Sequence, residues 1–345
     1  MTRHTSRRTL DDVARAAGVS LATADRALNG RPGVREQTRR KIEDAARRLS
    51  YRPDRAAAAL ARGQRWRFCF VLPVGDNVFM SQLAEAVRET AAWMAEERAD
   101  IELVHVDVFE GPVLARELAK LGPSYDGFAV VALDHPAVRE AIDMLVAAGR
   151  YVVTLVSDVL TSRRHHYVGL ANFAAGRTAG TLLGRFVGAR IGSVGVIAGS
   201  LALRDHAERL AGFVQAIAEV APHLDVAPAR EGRDNRERTE AATEGLLELY
   251  PDLVGLYVIG AGKRGAAAAL ERAGRGRDIV FVGHELTADT RSFLLSGTMD
   301  AVINQDAGHE VRSAARVLLA HCEGRPINSA QERIRIDVFV KDNLP

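Results

Sequence analysis

The chain has 345 residues, 47% of them hydrophobic and 26% charged, with a net charge of +2. That length calls for two or three domains, and the ordinary composition excludes a disordered or fibrous chain. Two cysteines, Cys69 and Cys322, exclude a disulfide framework. No run approaches the ~18 apolar residues of a membrane span, and the start Met-Thr-Arg-His-Thr-Ser-Arg-Arg lacks the apolar core of a secretory signal. A cytoplasmic protein is expected. His165-His166 and His105-x-Asp107 are metal-like spacings with too few partners for a site, so neither metal nor cofactor is called for.

The small net charge hides a division. Residues 1–67 hold 17 Lys+Arg against 7 Asp+Glu, a net of +10, while residues 68–345 hold 29 against 37, a net of −8. A basic head on an acidic body reads as a polyanion-binding module joined to one that does not bind polyanions.

Residues 1–8 read as a basic arm. Leu10, Val13, Ala14 and Ala17 then repeat at helical spacing, Gly18 is a helix stop, and Ser20 is placed to cap a second helix beginning Leu21-Ala22-Thr23. This is the layout of a helix-turn-helix, whose second helix enters the DNA major groove by its N-terminal end. Arg31-Pro32-Gly33 is turn chemistry, and residues 36–50 form a third helix with Ile42, Ala45, Ala46 and Leu49 on one stripe. Val13, Val19, Ala27, Leu28, Ile42 and Leu49 make the expected core of a domain spanning 9–51. Residues 52–66 read as a linker: Arg55-Ala-Ala-Ala-Ala-Leu-Ala-Arg-Gly63 favours helix, but two turns are marginal alone.

From Phe68 short apolar runs alternate with amphipathic ones. Strands are expected at 68–74, 102–108, 127–132, 151–156, 193–198, 255–259, 279–282 and 301–303. Helices are expected near 79–97, 112–121, 136–148, 174–189, 204–220, 235–249, 263–273, 287–296 and 307–322. Continuous Val/Ile/Leu runs mark strands buried on both faces of parallel, doubly wound sheets. About nine such units exceed one sheet, so the fold class is an all-α helix-turn-helix head plus an α/β body of two lobes, with ligand sites at the carboxyl ends of the strands.

Thr9-Leu-x-x-Val-Ala-x-x-Ala-Gly-Val-Ser20, Ala22-Thr23-x-x-Arg26-x-Leu-Asn29 and Val34…Thr38-Arg39…Ala45-Ala46…Leu49-x-Tyr51-x-Pro53 resemble the LacI/GalR family of bacterial transcription regulators. The body resembles that family's periplasmic sugar-binding-protein fold at Pro73…Asn77-x-Phe79, Gly199…Arg209-Leu-Ala-Gly-Phe213, Val282-Gly283-x-Glu285 and Ile303-x-Gln305-Asp306. The resemblance implies a repressor-type regulator: a homodimer on pseudopalindromic double-stranded operator DNA, controlled by a sugar, polyol or sugar phosphate held between two lobes. The implied lobes are 68–165 with 306–326, and 166–305 with 327–345, joined by crossovers.

In the head the resemblance implies DNA contact by Thr9, Ser20, Leu21, Ala22, Thr23, Arg26, Asn29, Tyr51, Arg55 and Leu60. Arg26 suits a bidentate contact to guanine, worth ~1–3 kcal/mol of discrimination, its alternatives being a phosphate contact or a solvated charge. Leu21 and Ala22 suit thymine methyls, and Thr23 and Asn29 suit phosphates. Leu60 matches the leucine that wedges into the minor groove at the dyad. Asp25 stands where the family usually carries Ser; it either pairs with a neighbouring arginine or accepts from a cytosine.

In the body the implied ligand residues are Asn77, Phe79, Asp134, Arg209, Lys263, Glu285 and Gln305, with Glu285 replacing the usual Asp. Gly260-Ala-Gly-Lys-Arg-Gly265 replaces a usual Asn-Asp, so Lys263 or Arg264 points to an acidic or phosphorylated ligand, unless both are merely solvated. The same stretch is a formal GxGxxG followed by Glu285 twenty residues on, the fingerprint of a nicotinamide-dependent reductase. No Tyr-x-x-x-Lys or paired His/Asp accompanies it, so an enzyme is not expected. A transporter's solute-binding protein is the other alternative, disfavoured by the basic head.

Overall fold

The computed structural model describes residues 9–28, 32–49, 51, 65–75 and 77–345. They fall into two compact units, one ending at residue 64 and one beginning at Arg65.

The first unit holds α1 (Leu10–Ala17), α2 (Leu21–Leu28) and α3 (Glu36–Arg48). Thr9 starts α1 with a reciprocal cap: its Oγ1 accepts from the Asp12 amide at 3.3 Å, and its own amide donates to Asp12 Oδ2 at 2.9 Å. Gly18 stops the helix in the left-handed conformation, φ 67°, which a side chain would strain. Ser20 Oγ then accepts from the Thr23 amide at 3.2 Å, starting α2. Val13, Ala14, Ala24, Ala27, Ile42 and Ala45 are buried together, with Val19, Leu28, Leu49 and Tyr51 packed at the edge. The core residues are small, so three short helices close with little volume between them.

The second unit begins with β1 (Trp66–Pro73), α4 (Val78–Glu96), β2 (Ala99–Val106), α5 (Gly111–Leu121), β3 (Gly127–Val130), α6 (Pro136–Ala147), β4 (Tyr151–Leu155) and β5 (His166–Val168). These strands form a parallel sheet in the order β2-β1-β3-β4-β5. Every residue from Phe68 to Leu72 is buried. Phe68, Phe70 and Leu72 enter one core and Cys69 and Val71 another, which is why β1 carries no polar alternation.

The chain then runs through α7 (Asn172–Val187), β6 (Gly192–Ala198), α8 (Arg204–Val220), β7 (Leu224–Val226), β8 (Arg230–Glu231), α9 (Arg236–Leu249), β9 (Leu253–Val258), α10 (Lys263–Arg272), β10 (Val280–His284), α11 (Ala288–Ser296) and β11 (Ala301–Asn304). The second sheet has the order β12-β11-β10-β9-β6-β7, with β8 beside β6. It is parallel except for β12 (Asp337–Phe339), which returns antiparallel to β11. Between them α12 (Ala307–Glu323) crosses back to the first sheet, where Val311, Ala314 and Leu318 share the core of Phe68 and Phe70.

The chain therefore passes between lobes after Val168, between β11 and α12, and between α12 and β12. The first crossing lies three residues beyond the expected boundary at 165, because His166–Val168 pairs with β4. β5, β7, β8 and β12 have two or three residues each and no apolar run, which is why the sequence pattern passes over them.

One contact sets up the cleft. Gly176, Gly180 and Gly184 line the face of α7 toward α8, and a Cβ on them would meet Arg209 O at 1.9 Å, Phe213 O at 2.7 Å and Ala221 Cβ at 3.0 Å. The bare stripe lets the two helices touch along their backbones, and this brings Arg209 onto Asn172.

Candidate functional site

On the head, Ala24 and Ala27 face inward, so helical periodicity turns Leu21, Ala22 and Arg26 outward, and all three are exposed, Leu21 by 50%. Thr23 and Ser20 serve the cap, with their hydroxyls 2.8 Å apart. Tyr51 is half-buried against the head core, its amide donating to Ala46 O at 2.9 Å. Asp25 is half-buried on α2. Arg40, Lys41, Arg47 and Arg48 leave α3 into solvent. Asn29, Arg55 and Leu60 lie outside the described residues.

In the body, strand ends and helix starts of both lobes meet in a cleft, and Arg209 lies at its bottom, 1% exposed. Its Nε donates to Asn172 Oδ1 at 2.8 Å and its Nη1 to Ile259 O at 3.3 Å, with Glu285 Oε1 at 3.5 Å. Asn172 is fixed in turn by Tyr167, whose hydroxyl accepts from Nδ2 at 2.9 Å and donates to Val156 O at 2.9 Å. Burial opposes the guanidinium charge, yet Asp205 and Glu285 hold it above its ordinary pKa. Glu285 also takes Lys263 Nζ at 3.1 Å and Gln305 Nε2 at 3.3 Å. Lys263 Nζ donates as well to Gly260 O at 2.9 Å, so its charge is spent within the lobe.

Four residues of the cleft wall have left-handed backbones without being glycine: Val156 at φ 65°, Arg233 at φ 49°, Asp234 at φ 54° and Glu285 at φ 58°. Such positions cost ~1–3 kcal/mol and persist where the surroundings impose them, commonly at binding sites. Behind Glu285, His284 is fully buried with Nε2 2.7 Å from the Tyr257 hydroxyl; burial, reinforced by Arg209 and Lys263, pushes its pKa well down and keeps it neutral.

The cleft has an inner chamber of about 40 Å³ and an outer one of about 520 Å³. Arg209 and Gln305 line the inner chamber, Lys263 the outer, and Asn77, Phe79 and Glu285 both. Asp134 lines neither. It lies 3.2 Å from Arg139 Nη2 and 3.9 Å from Arg204 Nη1, a link from the first lobe to the second. Asn77 makes a second link: its Oδ1 caps α4 through the Phe79 amide at 3.0 Å, and its Nδ2 donates to Asp234 Oδ2 at 3.0 Å. Gln82 makes a third, to Leu286 O at 3.3 Å.

Sequence reasoning missed Asp205, His206, Ser157 and Asp234. Asp205 and His206 sit one helical turn before Arg209 on the same face, a spacing visible in the sequence. Ser157 and Asp234 follow strand and loop ends, and only the assembled lobes bring them to the cleft.

The glycines of the GxGxxG stretch meet their own lobe. A Cβ at Gly260, Gly262 or Gly265 would strike Asp234 Oδ1 at 2.3 Å, Thr239 Oγ1 at 2.2 Å or Arg236 O at 2.1 Å. Glu285, the acidic residue of that pattern, holds Lys263 at 3.1 Å. Among the described residues no group of three or more His, Cys, Asp or Glu is arranged to hold a metal, and no helix is long and apolar enough to cross a membrane.

A helix-turn-helix with an exposed second helix, followed by two α/β lobes around a polar cleft, defines a DNA-binding head on a body of the periplasmic-binding-protein kind. Residues 9–54 match the model of the bacterial regulatory proteins of the lacI family, and residues 68–326 match that of the periplasmic binding protein domain. The chain belongs to the periplasmic binding protein domain family through its body, and its head is a DNA-binding domain of the lacI kind.

Catabolite control protein A of Priestia megaterium is 39% identical over 83 residues, covering 24% of this chain and 25% of that protein. The protein of the same name from Staphylococcus epidermidis is 40% identical over the same shares. The matched stretch thus spans a quarter of the length of these relatives. A glucose-galactose binding protein of Geobacillus stearothermophilus superposes with a TM-score of 0.74 at 23% identity, over 82% of this chain and 99% of that one. A Burkholderia graminis solute binding protein in complex with D-arabinose gives 0.73 at 23%, over 81% and 96%. At such identities these structures establish the fold.

Proposed function

We propose that the protein is a cytoplasmic, sequence-specific repressor of transcription. It acts as a homodimer on a pseudopalindromic operator, and a small polyhydroxyl ligand in the cleft controls its affinity. The outward face of α2, with Leu21, Ala22 and Arg26 on a head of charge +10, carries the reading. Arg26 reads a guanine, and Leu21 and Ala22 pack on thymine methyls. Three links join the lobes across the cleft, from Asn77, Gln82 and Asp134, so a ligand seated between the lobes changes their relation. It shifts DNA affinity only as far as it binds one lobe arrangement better than the other.

The test is a salt titration of duplex binding. Several phosphate contacts require log K to fall with log salt at about 0.9 per phosphate neutralised. A flat profile, or no duplex binding, overturns the reading. An Arg26→Ala variant is expected to lose ~1–3 kcal/mol of preference for its own site. If that variant keeps full site preference, Arg26 does not read a base.

A further inference from the structure

The strands of the first sheet end at the cleft. At their opposite, starting edge three rings from three separate elements meet. Tyr151 opens β4, His165 stands just before β5, and His321 is in the last turn of α12. Tyr151 stacks on His321 with ring centroids 5.4 Å apart and planes at 18°. His165 closes the group edge-on, 5.0 Å from each of the other two. The group joins the end of α12, the helix that crosses between the lobes, to the start of β4.

This arrangement suits neutral imidazoles. His165 Nδ1 accepts from the Val152 amide at 3.2 Å, so the neutral ring carries its proton on Nε2. A second proton would turn that acceptor into a donor facing a donor. His321 Nε2 is buried without a hydrogen-bond partner, so a charged ring there would hold an unsatisfied N–H. Two imidazolium rings 5.0 Å apart would also repel each other. The charges around them are already matched. Beside β4, Arg150 holds Asp126 at 3.6 Å, and before β5, Arg164 is bound to Asp158. At the end of α12, Glu323 is bound to Arg325, and beyond it Glu332 holds Arg316 at 2.6 Å. Among the described residues only His206, in the cleft, is paired with a carboxylate. Burial accordingly pulls the pKa of His165, His166 and His321 below the ordinary 6.5. Arg164 adds to this at His166, against Glu332, and the other two histidines add to it at His321.

Hydrogen bonds run from these rings to the point where the chain enters the body. The Tyr151 amide donates to Asp126 O at 2.9 Å and the Asp126 amide to Arg67 O at 2.8 Å, while the Arg67 amide donates to Asp126 Oδ2 at 2.9 Å. Arg67 is the second residue of β1, which opens the body. We infer that Tyr151, His165 and His321 form a proton-operated clasp: neutral, it holds the last turn of α12 on the start of β4, and acid opens it and loosens the edge at which the chain from the head enters the body. The open form takes up protons at the ordinary histidine value and the closed form only below it. The closed form is therefore favoured above pH 6.5 and loses ground as pH falls beneath it.

The chain's two tryptophans report on both ends of this connection. Trp93 lines a groove with Arg316, Leu319 and Ala320 of α12, and Trp66 opens β1. In the full chain, tryptophan emission followed from about pH 8 to about pH 5 is expected to shift in a step centred below the ordinary histidine value. Over the same range the hydrogen-exchange protection of residues 316–323, corrected for the intrinsic effect of pH, is expected to fall about threefold or more relative to α8. His165→Asn/His321→Phe keeps an acceptor for Val152 and a ring for Tyr151 but takes no proton, so both changes are expected to vanish; either single variant makes the step shallower. His223→Asn, at an exposed histidine of the other lobe, leaves both changes intact. No emission step, a step that survives in the double variant, or protection that is equal at the two ends of the range overturns the inference. Duplex affinities of the natural chain and the double variant are expected to agree at neutral pH and to differ about threefold or more near about pH 5.5. Agreement at both pH values overturns the reach of the clasp to the head. Failure of both proteins to bind duplex refutes the regulator reading, while emission and exchange still decide the clasp.

Discussion

A guanidinium that is 1% exposed, and held by a side chain of α7, a carbonyl after β9 and a carboxylate after β10, makes Arg209 a structural residue as well as the proposed binding group. Removing one partner of a buried ion pair commonly costs ~3–5 kcal/mol. Glu285 keeps Lys263, so Arg209→Met is expected to lower unfolding stability by about 3 kcal/mol or less in a urea titration, while ligand binding is lost. Glu310 is the opposite kind of residue. It is fully buried in the first turn of α12 and neither carboxyl oxygen has a partner. Burial holds its pKa well above the usual carboxylate range, Arg209 pulling the other way and Glu285, Asp306 and Asp205 adding to the rise. The native state therefore keeps a proton that the unfolded chain releases above 4.5, and stability falls as pH rises toward the folded value. Glu310→Gln cannot ionise, so its urea midpoint is expected to drop less than that of the natural chain between about pH 5 and about pH 8. Equal slopes for the two proteins would refute this.

At the scale of elements, each long helix and each long strand of the body is legible in the sequence, because a buried parallel strand needs an unbroken apolar run and a covering helix needs a stripe. Glycines are not legible in that way. Gly176 and Gly245 both sit inside helices, yet a Cβ at Gly176 would meet Arg209 O at 1.9 Å, while at Gly245 nothing lies within 4 Å. Gly176→Ala is expected to push α7 off α8 and cost ~1–3 kcal/mol or more, with weaker ligand binding because Asn172 and Arg209 move apart. Gly245→Ala is expected to stabilise the body by about 0.5–1 kcal/mol through helix propensity alone. Thermal melts of the two variants moving in the same direction would contradict the packing described for α7 and α8.

Across the whole molecule, the links between lobes separate energetic from incidental contact. The Arg204–Asp134 pair is partly solvated and 3.9 Å long, a geometry worth ~0–1 kcal/mol. Asn77 is different: it caps α4 in one lobe and reaches Asp234 in the other. Asn77→Ser keeps a capping oxygen but loses the reach, so it is expected to weaken ligand binding while Arg204→Ala leaves it nearly unchanged, both read by calorimetry. What the sequence by itself determined is the local and the periodic: a basic head of charge +10, a helix-turn-helix written in Thr9, Gly18 and Ser20, repeated βα units, and six cleft residues legible through the motifs that carry them. These are properties of neighbouring residues, and backbone geometry translates them directly. Only the tertiary structure decided that Asp134 stands apart, that Lys263 is spent on Glu285, and that Ser157, Asp234, Arg233 and Arg236 face one cleft. Those residues come from separate strand and helix ends, and their meeting depends on three crossings between lobes, which no short-range pattern records.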